Sequence, residues 1–169
     1  QLMSNDIDIS TGTGAGAVTF DSTIDNKASE TARNLTIASG TGDVSLGGAS
    51  AHIGVTTAIG NLKVNAEAGT GDITLVGNIG DGEAAGAATV TLGQANTAIL
   101  DFDGTVYNTG AATYTGESVT LSGEDVSFIT NNLDVEFADG TIALGDDSNL
   151  TIDTDNGAVS YTHLRAHET

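Results

Sequence analysis

The chain alternates apolar and polar residues in short runs, and one run keeps returning. It reads Asn34-Leu35-Thr36-Ile37, Asn61-Leu62-Lys63-Val64, Asn132-Leu133-Asp134-Val135 and Asn149-Leu150-Thr151-Ile152. Looser copies are Thr89-Val90-Thr91-Leu92 and Ser118-Val119-Thr120-Leu121. Alternation with period two puts successive side chains on opposite faces of an extended strand. After a Gly-rich gap a second triplet follows: Val44-Ser45-Leu46, Ile73-Thr74-Leu75, Ile142-Ala143-Leu144 and Val159-Ser160-Tyr161. Upstream, Asn5-Asp6-Ile7-Asp8-Ile9 and Val18-Thr19-Phe20 show the same alternation.

The spacing turns this pattern into an architecture. The phrase starts at 34, 61, 89 and 118, in steps of 27, 28 and 29; the triplet starts at 18, 44 and 73, in steps of 26 and 29. Two strand types therefore alternate. The link from phrase to triplet is short, and the returns at residues 21–33, 47–60 and 76–88 are long, the first with a helical turn expected near Ser29. Repeats of 20 to 50 residues indicate stacked units, because one such unit cannot bury its apolar face alone. Like strands then pair in parallel, about 4.8 Å apart. The expected inward positions are Leu35/Ile37, Leu62/Val64, Val90/Leu92 and Val119/Leu121 on one sheet. A second sheet would hold Val18/Phe20, Val44/Leu46, Ile73/Leu75 and Leu100/Phe102. The expected fold is an all-β parallel β-helix, or β-solenoid, of about five to six coils. Late phrases, at 118, 132 and 149, are so close that each is expected to begin a different face of one coil. An immunoglobulin-like sandwich needs about seven distinct strands per ~100 residues and predicts no such repeat.

Composition agrees with thin apolar layers between turns. The 169 residues include 23 Gly and no Pro, Cys or Trp. Proline would remove a ladder N–H from a central strand. The formal net charge is −19, from 23 acidic and 4 basic residues, which disfavours nucleic acid or an anionic membrane surface as partner. No apolar run has the length of a membrane span, so membrane insertion is not expected.

Residues 61–80 (NLKVNAEAGTGDITLVGNIG), 108–121 (NTGAATYTGESVTL) and 149–157 (NLTIDTDNG) resemble repeat regions of large bacterial surface proteins. These are the filamentous-haemagglutinin-like adhesins and autotransporter-type passenger domains. The resemblance covers most of residues 1–158. It implies a right-handed parallel β-helix, an extracellular or cell-surface location, and a role as adhesin or stalk. The implied partners are a host-cell or matrix surface or a glycan, together with flanking repeats of a parent chain. Residues 159–169 break the pattern and resemble a tail found on unrelated metagenomic reading frames. We therefore expect a repeat region at 1–158, read as a fragment of a larger protein, and a non-native tail at 159–169.

Several residue groups carry candidate chemistry. Leu100-Asp101-Phe102-Asp103-Gly104-Thr105 resembles the first motif of haloacid-dehalogenase-type phosphatases, whose two aspartates serve as nucleophile and general acid/base. That chemistry also needs a downstream lysine, and no Lys follows Lys63. The plainer reading is a coil strand with Leu100 and Phe102 inward and both aspartates outward. A polysaccharide lyase would need a cationic base, and no Lys or Arg lies between Val64 and Leu164. A hydrolase would need two carboxylates across a cleft. Calcium is a candidate at Asp139-Gly140, Gly145-Asp146-Asp147 and Asp153-Thr154-Asp155-Asn156-Gly157, since Ca²⁺ takes carboxylate and carbonyl oxygens. The nonapeptide of calcium β-rolls is absent, and turn chemistry is the favoured account of these clusters. His163 and His167 lie in the tail and are not read as a metal pair. The phrase asparagines are read as corner residues that hydrogen-bond the next coil and tolerate left-handed backbone. The sequence thus assigns no catalytic, cofactor-binding or metal-binding residue and no cofactor. It points to a non-catalytic structural or adhesive segment, with a carbohydrate-active enzyme on the same fold or a mechanical stalk as alternatives.

Overall fold

A computed structural model describes the chain except residues 1, 4, 82, 147, 156–161 and 166–169. The described elements are all strands. The first coil contains β1 (Leu2–Met3), β2 (Ile7–Ser10), β3 (Val18–Phe20) and β4 (Asp25–Asn26). The second contains β5 (Leu35–Ala38) and β6 (Val44–Leu46), and the third β7 (Ile59–Val64) and β8 (Ile73–Leu75). Then come β9 (Ala87–Leu92), β10 (Ile99–Phe102), β11 (Val106–Thr115), β12 (Ser118–Leu121) and β13 (Asp125–Ile129). The last are β14 (Val135–Ala138), β15 (Thr141–Leu144), β16 (Asn149–Asp153) and β17 (Thr162–Arg165). They stack as a β-solenoid of about six turns.

Three faces surround one core. On the first face Ile7, Leu35, Leu62, Val90, Ala112 and Val135 stack in parallel register, and the step along the chain shortens after Val90. On the second face the column is Val18, Val44, Ile73, Leu100, Val119 and Ile142. The third face is the one that sequence spacing did not separate. Ile24, Ile53, Ile79 and Tyr107 touch through single parallel bridges, after which Tyr107, Phe128 and Ile152 continue as paired strands. The long returns are therefore a face and two corners, not a loop. β11 bends around a corner, so its first residues pair with β13 on the third face and its later ones with β9 and β14 on the first.

Period-two burial follows from this stacking. Leu35, Ile37, Leu62, Val64, Val90 and Leu92 are buried while Thr36, Lys63 and Thr91 between them are half-buried and face outward. Each buried aliphatic side chain of this kind contributes roughly 1.5–3 kcal/mol relative to exposure.

Two expected placements need correction. Val119 and Leu121 belong to the second face, on Leu100 and Phe102, because the chain shortens its coil after Phe102. The corresponding first-face positions are Ala112 and Tyr114. Leu133, in the Asn132 copy of the phrase, faces solvent. It is 46% exposed, because Asn132 turns the corner at φ 54° and the strand begins at Val135. The helical turn expected near Ser29 is instead a hydrogen-bonded turn, with Ser29 at φ 68° and the Glu30 N–H on the Lys27 carbonyl. The crowded phrases at 118, 132 and 149 do fall on three different faces, but over two coils rather than one: β12 on the second, β14 on the first and β16 on the third, with β13 and β15 between them.

β17 pairs antiparallel with β16, whereas the other paired strands among the described residues run parallel. The Val159-Ser160-Tyr161 triplet lies outside the described residues.

Candidate functional surface

The corners are where the polar chemistry sits. A coil corner bends the backbone out of the strand ladder, and the freed N–H groups need acceptors. Side chains one coil earlier supply them. The Asn34 N–H donates to Asp6 Oδ1 (3.0 Å), the Asn61 N–H to Asn34 Oδ1 (2.8 Å), and the Thr89 hydroxyl to Asn61 Oδ1 (2.7 Å). Asn34 and Asn61 thus form the corner ladder that the sequence suggested for the phrase asparagines, whereas Asn149 donates to Asp125 Oδ1 (2.7 Å) and Asn132 to its neighbour Asn131. Left-handed backbone is a separate matter, found at Asn132 and Asn65 but not at Asn34, Asn61 or Asn149.

A second ladder precedes the second face. The Asp72 N–H donates to Asp43 Oδ1 (3.1 Å), and the Ile99 N–H donates to Asp72 Oδ1 (3.1 Å). Here the repeated Gly-Thr-Gly-Asp turn is explained by contact between coils. A Cβ on Gly42 would run into the Gly16 carbonyl oxygen, and one on Gly71 would run into that of Gly42. Only glycine permits backbones to stack that closely.

A third ladder runs down the flank of the returns. Buried Asp25 accepts the Thr56 and Thr57 N–H groups on Oδ1, at 3.0 and 3.3 Å. His52 Nδ1 accepts the Asn78 N–H at 3.1 Å, and Asn78 Oδ1 accepts from Thr105 (2.8 Å) and Val106 (3.2 Å). Accepting on Nδ1 leaves the proton of the neutral imidazole on Nε2. The stacked returns lie along one side, joined by Ile24, Ile53 and Ile79. A groove of about 450 Å³ opens there beside His52, Asn78 and Asp103.

Inside the corner after the first face, the polar atoms pair with one another. Buried Asn65 accepts the Ser39 N–H at 2.9 Å and donates to the Ser39 hydroxyl at 3.0 Å, while that hydroxyl donates to the Gly42 carbonyl. A smaller groove of about 240 Å³ lies near Lys63 and Glu67, which form an exposed ion pair at 3.6 Å.

The candidates from sequence fall mostly on ordinary strands and turns. Leu100 and Phe102 are fully buried; Asp101 is half-buried and accepts the Ser122 hydroxyl at 2.6 Å, and Asp103 is exposed. The phosphatase-like motif is thus a coil strand. Among the described residues, no group of three His, Cys, Asp or Glu side chains converges as metal ligands would. Asp139 occupies a left-handed turn (φ 68°) between β14 and β15, and Asp153 Oδ1 accepts the Asp155 N–H at 3.0 Å. Asp147, Asn156, Gly157 and His167 lie outside the described residues, and His163 falls in strand β17. Sequence reasoning missed Asp25, His52 and the Ser39–Asn65 pair. The signal for the last was a small polar residue directly after the strand, before Gly40 in one coil. Nothing marked His52, since a lone histidine has no pattern.

Exposed Asp81 is a turn carboxylate whose pKa is lowered by the N–H groups of Ala84 and Glu83. Burial pushes the phenols of Tyr107 and Tyr114 well above their usual range.

No protein-family model matches this chain, and neither does a curated protein or a solved structure. Among the described residues no helix is long and apolar enough to cross a membrane.

Proposed function

We propose that this chain is a non-catalytic structural and adhesive repeat segment of a large secreted or cell-surface bacterial protein. The observation that carries the reading is how its polar residues are employed. Asp6, Asn34, Asp43, Asp72, Asp25, His52 and Asn78 each accept a backbone N–H from another coil. Those groups maintain the column. The bacterial-surface setting comes from the repeat resemblance in residues 61–80, 108–121 and 149–157. The flank of stacked returns is the surface on which a glycan or a host-cell or matrix ligand would lie, and flanking repeats of a parent chain would extend the same column.

The test uses the labelled full chain on host-cell monolayers and a glycan array, beside a variant with exposed residues of the returns changed to alanine. Binding is expected, and the variant should lose it. Release of reducing ends or unsaturated sugars from any polysaccharide would overturn the non-catalytic part. Binding unaffected by the alanine changes would overturn the placement on the flank.

A further inference from the structure

Two side chains that hold the third ladder also line a groove, and each has a second polar atom left over. His52 Nδ1 accepts the Asn78 N–H, so the neutral ring carries its own N–H on Nε2. Asn78 Oδ1 accepts the Thr105 and Val106 N–H groups, which leaves Nδ2 as a donor. Among the described residues, none hydrogen-bonds His52 Nε2, Asn78 Nδ2 or the Asp103 carboxylate. Half-buried His52 and Asn78 line the groove of about 450 Å³ together with exposed Asp103 and Thr105, and with Ala49 and Val76. Its residues come from coils two, three and four. The Ile24 bridge to Ile53 and the pairing of Tyr107 with Phe128 put a further coil on either side. The groove therefore belongs to the middle of the column.

Its chemistry selects among ligands. Fixed N–H donors together with a carboxylate suit hydroxyl groups, because a hydroxyl both donates and accepts. An anion would meet Asp103 on a chain of net charge −19. A metal ion would find the His52 Nδ1 lone pair already engaged, and no three ligating side chains converge among the described residues. An amine would match Asp103 but confront the two N–H donors. An apolar ligand would strip water from the donors and the carboxylate without replacing its hydrogen bonds. The volume lies within the range of small-molecule sites, about 300–1,000 Å³.

We propose that this groove binds an uncharged sugar through adjacent hydroxyls. Asp103 accepts from them, His52 Nε2–H and Asn78 Nδ2 donate to them, and the Thr105 hydroxyl can do either. This rests on the reading of the flank as a ligand surface, and narrows it to one groove and to neutral saccharides.

The test is a titration of the isotope-labelled full chain with methyl α-mannoside, methyl β-galactoside and methyl α-glucoside, read at the Asn78 side-chain amide by NMR. At least one glycoside should give saturating shifts there. The uronate of the same sugar should bind at least tenfold more weakly, because its carboxylate meets Asp103. Asp103→Asn should weaken the neutral sugar by about tenfold or more, the loss expected for a charged hydrogen-bond acceptor. It should also abolish the discrimination against the uronate. The Asp103 carboxylate bonds nothing in the column, so the circular dichroism spectrum and melting temperature should stay as in wild type. The proposal is overturned if no glycoside moves the Asn78 amide, if the uronate binds as tightly as the neutral sugar, or if Asp103→Asn binds unchanged. Applying the same variant to the glycan array separates this proposal from the adhesive reading. Equal adhesion by wild type and Asp103→Asn would overturn the groove and leave adhesion standing. Binding of the free glycoside by a wild-type chain that adheres to nothing on the array would support the groove and overturn adhesion.

Discussion

Coils two and three and coils four to six solve the same stacking problem by different means. The earlier coils are long, with the first face returning at Leu35, Leu62 and Val90, and are filled mainly by aliphatic side chains such as Leu35, Ile53, Leu62 and Ile79. Their corners are wide and rely on stacked glycines, Asn and Asp ladders, and the buried Ser39–Asn65 pair. The later coils are shorter, with the first face returning at Ala112 and Val135, and are filled by rings. Phe102, Tyr107, Tyr114, Phe128 and Phe137 form one cluster with centroids 4.8 to 5.4 Å apart. Tyr107 shows how a ring stands in for a corner: its hydroxyl accepts the Gly104 N–H at 2.8 Å and donates to the Leu75 carbonyl at 3.2 Å. A side chain there does what backbone and amide ladders do earlier. The strand columns fix the fold, and the corners are free to vary in length so long as their polar groups find partners.

The contrast should be largest in the cores. Phe128 contacts four other rings, so Phe128→Ala is expected to cost about 3–5 kcal/mol, and Leu62→Ala in the aliphatic region about 2–5, towards the lower end. Urea denaturation measures both, and a larger loss at Leu62 would remove the distinction. Both described tyrosines, Tyr107 and Tyr114, belong to the ring cluster. Tyrosine fluorescence should therefore follow the later coils more closely than far-UV circular dichroism does.

Corner glycines come next. Gly71→Ala places a methyl against the Gly42 carbonyl and should cost about 1–3 kcal/mol. Gly14→Ala meets nothing within 4 Å and should be nearly silent. Equal melting points for the two variants would mean the glycine column is not tight.

Alkaline pH should then single out the later coils. The folded phenols of Tyr107 and Tyr114 titrate above the unfolded value, because burial disfavours the phenolate. Their contribution to stability is full below the unfolded pKa of about 10 and is lost as pH rises beyond it. Absorbance at the phenolate band should show the described tyrosines ionising together with unfolding, not before it.

The smallest effects separate the two hydroxyls. Tyr107→Phe leaves the Gly104 N–H only its longer bond to the Leu75 carbonyl (3.3 Å) and should cost about 1 kcal/mol. The Tyr114 hydroxyl is buried beside Thr109 with no hydrogen bond of normal geometry, and the Thr109 hydroxyl donates to the Gly110 carbonyl. Tyr114→Phe should therefore be neutral or raise the melting temperature slightly. A loss as large as that at Tyr107 would show that Tyr114 has a partner.

What the sequence revealed followed the physics of each region. In the early coils, period-two alternation and a nearly constant step disclosed the first two faces and the Asn34–Asn61 ladder. The third face escaped because each of those coils contributes one isoleucine to it, Ile24, Ile53 or Ile79, and a single residue has no period. In the later coils the regular step misled. The advance from Thr89 to Ser118 matches the repeat by length, yet Ser118 begins the second face because the strand at Ala112 to Thr115 intervenes. Its Thr-rich composition and bend at Gly110 hid it. Functional surface was the least legible, since Asp25 and His52 are defined by partners a whole coil further along the chain.

The ring cluster also bears on how the chain folds. Each coil needs its neighbour as a template, so ordering the first pair is the slow step and later coils add one at a time. Shorter coils close smaller loops, and loop closure is less costly for them. The five rings bring the largest apolar groups together within residues 102–137. That segment is the natural nucleus, from which order would propagate towards the aliphatic coils against the direction of synthesis.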